Sequence, residues 1–293
     1  MKKIIFTITM IFMAIATTQA KVDMNSIEDE INKTGEYINK MGVKIDLNNF
    51  NKIKNHFTAS AIEEITPTYY KYIKKSTGIA NSITKYFETY TFINAIGEEF
   101  TTTKEITQEE YESNNLINAR ASTHNTTMKE ISIRQTKADV TVISIETSWK
   151  STPQNLSYDV TAIRTSKNIN ITDLEAEQPH IKNGSWQYIN YEYNSSNFKT
   201  FSKGVGLSLN LVDGAESHKA LMFLETPCQQ YMKVYGTYQH AQGTVTLAQS
   251  QDYTLIGGTV DEGVFGNVIQ FNNLTTRSIY DKTAGVDLTL TCS

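Results

Sequence analysis

No stretch of this sequence concentrates basic charge. The 27 lysines and arginines are outnumbered by 31 aspartates and glutamates, for a net charge of −4, and no run of them forms a block. Neutralising phosphates supplies most of a nucleic-acid binder's affinity, so nucleic acid is excluded as a partner, and anionic membrane surfaces are poor ones. The five histidines, His56, His124, His180, His218 and His240, are scattered, and none forms an HExxH pair or another short ligand spacing. No metal site and no cofactor are therefore expected. There is no G-x-S-x-G elbow and no phosphate-binding glycine loop. Gly257-Gly258-Thr259-Val260-Asp261-Glu262-Gly263 lacks the Lys-Ser/Thr of a P-loop and reads as a flexible turn between strands. Nothing picks out a catalytic carboxylate pair, so no catalytic residue is assigned. After residue 20 no apolar run is long enough to span a membrane, which takes roughly 20 residues.

The one long apolar run stands at the start. Lys2 and Lys3 precede Ile4–Ala16, broken only by Thr7 and Thr9, and Thr18 and Ala20 are the small residues before a cleavage point. This is the three-part pattern of a secretory signal peptide spanning 1–20, and the mature protein is expected to be secreted and extracellular. No cysteine follows the cleavage point, and Leu290-Thr291-Cys292-Ser293 carries no hydrophobic tail or sorting pattern, so release without an anchor is expected. In such a compartment the two cysteines, Cys228 and Cys292, predict a disulfide. Cys292 shares its parity with Val286, Leu288 and Leu290, which places one sulfur on the apolar face of a final strand. The alternative is two buried thiols.

The chain divides by period. Residues 21–82 read as a helical N-terminal segment. Ile27, Ile31, Ile38 and Met41 recur near 3.6, and a second helix, capped by Asp46, Asn48 or Asn49, carries Phe50, Ile53, Phe57, Ile62 and Ile65 until Pro67 interrupts it. Residues 83–127 form a connecting region: a strand of alternating residues around Tyr86–Ile93, then a short helix opened by the Thr107/Glu110 capping box. From 128 to 293 nearly everything reads as short strands separated by Asn, Gly, Asp and Ser clusters. That predicts a mainly β protein with a C-terminal antiparallel β-sandwich or barrel.

Sixteen tyrosines and twelve phenylalanines are enough for a substantial core. Trp186, Tyr188, Tyr191 and Tyr193 put aromatics on both faces of one predicted strand, and Tyr231, Tyr235 and Tyr238 do so on another. If only one face of each strand meets the core, some of these rings must lie outside it, where they would suit stacking on a glycan or contact with a cell-surface protein. The bland alternative is that tyrosine decorates sheets, or that the helical segment covers that face.

The stretches Ser148-Trp149-Lys150-Ser151-Thr152-Pro153, Ser157-Tyr158-Asp159-Val160, Phe201–Asp213 and Val234–Ala241 resemble uncharacterised secreted proteins of Gram-positive bacteria, in which a helical leader precedes a β-rich C-terminal region. The resemblance implies export and a β-domain; it carries no activity and no site residues. Three functions follow in order of expectation: a non-enzymatic extracellular binding protein, a secreted polysaccharide or peptide hydrolase, and a pore-forming toxin. The last would use Ile131–Trp149 as its hairpin, but Val140–Ile145 breaks the apolar–polar alternation that a membrane strand needs. Oligomeric state is not readable.

Overall fold

A computed structural model describes residues 22–93, 99–113, 123–137, 140–150, 152–153 and 155–292. The signal-peptide reading of 1–20 lies outside the described residues. The protein is mainly β, 45% strand and 20% helix, and no closed barrel forms among the described residues.

The N-terminal segment is a small layer of short elements: α1 (Met24–Thr34), β1 (Glu36–Ile38), β2 (Lys44–Asp46), α2 (Leu47–Ile53), α3 (Ala59–Glu63) and α4 (Pro67–Lys75). Asp23 caps α1 and Gly35 ends it at φ 90°. The β1–β2 hairpin was not legible as such, because its three-residue strands are too short to show a period. Asn39 explains how it holds: its side chain accepts from the Met41 and Val43 amides and donates to the Ile62 and Ile65 carbonyls. The expected second helix is split in two. Pro67 does not end a helix but opens α4, where its missing N–H costs nothing, behind the Thr66 cap.

Among the described residues, fourteen further strands follow, with three short helices between them. In chain order they are β3 (Gly78–Ile93), β4 (Glu99–Ile106), α5 (Gln108–Ser113), β5 (Thr123–Lys137), β6 (Thr141–Trp149), β7 (Tyr158–Thr165), β8 (Asp173–Lys182), β9 (Ser185–Tyr191), β10 (Phe198–Phe201), β11 (Gly204–Asn210), β12 (Ser217–Thr226), β13 (Lys233–Gln239), α6 (Leu247–Ser250), β14 (Tyr253–Leu255), β15 (Ile269–Phe271), α7 (Leu274–Ile279) and β16 (Val286–Thr289). A seven-stranded antiparallel sheet runs β4-β3-β5-β6-β12-β8-β9, and a five-stranded one runs β10-β11-β7-β13-β16. Strands β3 and β4, most of which fall in the stretch 83–127 read as a connecting region, belong to the large sheet.

The two sheets face each other across Ile131, Ile133, Ile143, Ile145, Met222 and Leu224 on one side and Ile163, Val205, Leu207, Val234 and Val286 on the other. Gly236 lets them approach: a Cβ there would stand 2.5 Å from Ile133 Cδ1. The outer face of the large sheet is covered by the helical layer, with Phe223 stacked on Tyr72 at 4.8 Å and edge-on to Tyr69 at 5.2 Å. The outer face of the small sheet is covered by the β14–β15 and α7 region, where Tyr253 lies over Gly206 and Phe271 stacks on Tyr280. The architecture is therefore four layers, and the central strands of each sheet are buried on both faces.

Candidate functional site

Four layers separate the seven aromatic residues singled out in the sequence. Trp186 and Tyr188, on β9, are half-buried against the helical layer, where the Tyr188 hydroxyl reaches Met41 Sδ at 3.8 Å. Tyr191 and Tyr238 point the other way, into the core between the sheets. Tyr235 packs outward under the C-terminal cap, with the Arg164 guanidinium 4.2 Å above its ring. Tyr193 and Tyr231 are exposed, and Tyr231 occupies a left-handed turn at φ 59° ahead of β13. These rings do not line one groove. Cys228 and Cys292 are bonded, with Cα atoms 5.8 Å apart.

What remains of the aromatic set at the surface is an edge. Strand β9 closes one side of the large sheet and, among the described residues, pairs only with β8. Natural sheet edges are usually defended by charge, proline or a bulge, because their free N–H and C=O groups invite another strand. The other sandwich edges follow that rule: β4 carries Lys104 and Glu105, β10 carries Lys199, and β16 carries Asp287. Strand β9, Ser-Trp-Gln-Tyr-Ile-Asn-Tyr, has no charge, proline or glycine, and Ile189 on it is exposed.

Two polar networks were not foreseen. The first lies on the large sheet under the helical layer. Glu146 Oε2 meets Arg134 Nη1 at 2.8 Å and its Oε1 meets Lys219 Nζ at 2.8 Å, while Lys219 also reaches Glu64 of the helical layer at 2.9 Å. Burial pushes the Glu146 carboxyl up, but the Lys219 and Arg134 cations outweigh it and hold the carboxyl below the usual range. Nearby Glu130 is raised by burial and by the Glu146 charge. Opposed shifts on two carboxylates are the pattern of an acid–base pair. Here both oxygens of Glu146 are committed to buried cations, so the group is placed to join layers rather than to meet a substrate. Glu177, which accepts from the Thr66 hydroxyl, and Ser144, bonded to Tyr69, join the same layers.

The second network fills one end of the space between the sheets. Asp159 takes the Tyr238 hydroxyl at 2.7 Å, His240 Nδ1 at 2.9 Å and the Ala241 amide at 2.9 Å. Lys129 pairs with Asp281 beside it. His218 is buried and neither ring nitrogen has a hydrogen-bond partner among the described residues. Burial is the largest cause that lowers its pKa, to about 4, aided by His180 and His240 and opposed by Asp159.

That shift has a measurable consequence. As pH falls below 6.5 the unfolded chain gains a proton that folded His218 refuses until about 4, so stability falls across this window. The loss is about 3 kcal/mol in all at 1.36 kcal/mol per unit. His218→Gln is expected to remove one proton's worth of slope from stability between those pH values in chemical denaturation; an unchanged slope would assign the acid sensitivity elsewhere.

No group of three or more His, Cys, Asp or Glu residues among the described residues is placed to hold a metal ion. No helix among them is long and apolar enough to cross a membrane. No known protein-family model matches the chain, and no curated protein matches it either. The fold and its edge thus define a class, a disulfide-bonded antiparallel two-sheet sandwich with one undefended strand, and nothing narrower.

Proposed function

We infer that this is an exported binding protein whose contact element is strand β9, and that its partner is an extended, surface-exposed polypeptide segment that adds to the large sheet. The observation that carries the reading is the uncharged, unpaired β9 edge with half-buried Trp186 and Tyr188 and exposed Ile189 along it. Main-chain hydrogen bonds would supply affinity and the alternating side chains specificity, as in other cases of strand addition. Strand addition suits this edge better than sugar stacking, because the Trp186 and Tyr188 rings are packed against the helical layer and offer less free ring face. Export rests on the N-terminal Lys-Lys, apolar run and Thr18–Ala20 pattern, and the Cys228–Cys292 bond fits an oxidising compartment.

The test compares wild type with a Gln187→Lys/Ile189→Lys variant, which adds the missing edge charges without touching the core. Peptides selected from a displayed random library against the wild type are expected to protect β9 amides from hydrogen exchange. The double variant is expected to bind them at least about tenfold more weakly, a loss near 1.4 kcal/mol. Selected peptides that protect another element, or a glycan-array signal lost with Trp186→Ala while no peptide binds, would sink the reading.

A further inference from the structure

Lys129 on β5 and Asp281, in the segment between α7 and β16, are 152 residues apart in sequence, yet Lys129 Nζ contacts Asp281 Oδ2. Their side chains are 1% and 0% exposed. The pair sits among aromatic rings, with Nζ 5.2 Å from the Trp149 ring centroid and 5.6 Å from that of Tyr238. The other carboxyl oxygen, Oδ1, is fixed by two donors, the His240 amide at 3.1 Å and the Thr283 hydroxyl at 2.9 Å. An amine is thus held against a carboxyl whose far oxygen is already clamped, in a place sealed from water.

We propose that Lys129 and Asp281 condense into an intramolecular amide that covalently links the large sheet to the segment leading into the last strand of the small one. The ammonium proton passes to Oδ2, leaving a neutral amine and a neutral acid. The amine nitrogen attacks Cγ, and the negative charge that develops on Oδ1 is met by the His240 N–H and the Thr283 hydroxyl. A second proton moves from nitrogen to Oδ2, the Cγ–Oδ2 bond breaks and water leaves. One N–C bond forms, one C–O bond breaks, and nothing is oxidised or reduced. Fixing both groups in contact supplies an effective concentration on the order of 10⁵–10⁸ M, which offsets the unfavourable condensation, and exclusion of water protects the product.

The other buried lysine shows what the alternative looks like. Lys219 faces two carboxylates, and its Glu146 partner is shared with Arg134, so that carboxylate stays an anion and a poor electrophile. Asp281 has no such second cation among the ion pairs of the described residues.

The experiment is intact mass spectrometry of the purified wild-type chain after reduction of its disulfide, followed by tryptic mapping. The expected result is a mass one water below that dictated by the sequence between its own termini, with trypsin failing to cut after Lys129 and a branched peptide joining the Lys129 and Asp281 segments. Lys129→Arg and Asp281→Ala are expected to show full mass. Wild type at full mass, with free cleavage after Lys129, would make the pair an ordinary ion pair and overturn the proposal; so would a branched peptide mapping to other residues. The wild-type measurement decides the matter even if a variant fails to fold.

Discussion

Glu146→Ala is expected to destabilise the fold by about 4 kcal/mol, the range found when one partner is taken from a buried ion pair. The Glu146 side chain is 7% exposed, and the two cations it joins, Arg134 and Lys219, are each 2% exposed. Removing the carboxylate leaves two desolvated positive charges. Lys219 keeps Glu64, whose side chain is 31% exposed, and Arg134 keeps the Phe57 ring, 4.0 Å from its guanidinium carbon. Neither replaces a buried bidentate anion. The contrast is Glu36–Lys44, at 41% and 65% exposure, where screening and side-chain entropy leave a pair worth about 0–1 kcal/mol. Denaturant titration of Glu146→Ala and Glu36→Ala side by side reads the difference as a large and a negligible shift in midpoint. An Arg134→Met/Glu146→Leu/Lys219→Met chain should regain most of the loss, since apolar replacement of a whole buried network is often neutral. If Glu146→Ala stays within about 1 kcal/mol of wild type, the network is solvated and does not lock the helical layer to the sheet.

That network shows where sequence reading succeeds and where it stops. The irregular alternation of Val140–Ile145 is a true signal: β6 is buried on nearly every residue because it lies between a facing sheet and a covering layer. Read as an argument against a membrane hairpin, the same pattern also says that both faces are covered. With one covered face per strand, some rings of β9 and β13 would have to lie outside the core; the four-layer arrangement removes that premise, since Tyr238 and Tyr235 are both packed, on opposite sides of one sheet. Strand punctuation was legible from 128 onward because turn residues act locally. Pairing order was not, since nothing local states that β12 enters between β6 and β8. Short elements escaped for a related reason. Thr244–Ala248 reads as strand, yet Thr246 and Gln249 make a capping box and α6 follows; four residues are too few to show a helical period. Val264–Phe271 likewise reads as one strand from its apolar residues, and only Ile269–Phe271 is strand. The β9 strand was legible as an aromatic run, but its uncharged extent and its position at the sheet's border come only from the fold.

Opening the Cys228–Cys292 bond is the other large perturbation, expected to cost about 4 kcal/mol from loop entropy alone for a separation of 64 residues. The bond joins the chain just after β12, in the large sheet, to the chain just after β16, the four-residue edge of the small sheet. Edge strands of that length fray readily; besides its pairing with β13, β16 is held by the burial of Val286, Leu288 and Leu290 in the core and by a few polar contacts across the layers. Gln135 bonds both the amide and the carbonyl of Thr291, and Asn81 donates to the Thr289 carbonyl at 2.8 Å. With the bond open, Val286, Leu288 and Leu290 are expected to lose hydrogen-exchange protection before the rest of the core. Cys228→Ser/Cys292→Ser, compared with wild type in denaturant, measures the cost. A change under about 1 kcal/mol would mean that the side-chain contacts hold β16 unaided. The same comparison bears on export. A chain made in a reducing compartment lacks the bond and should match the double serine variant, whereas one made in an oxidising compartment should exceed it by the full amount. Stability measured on protein from the two compartments therefore tests whether the fold depends on the cell envelope or the outside for its final state.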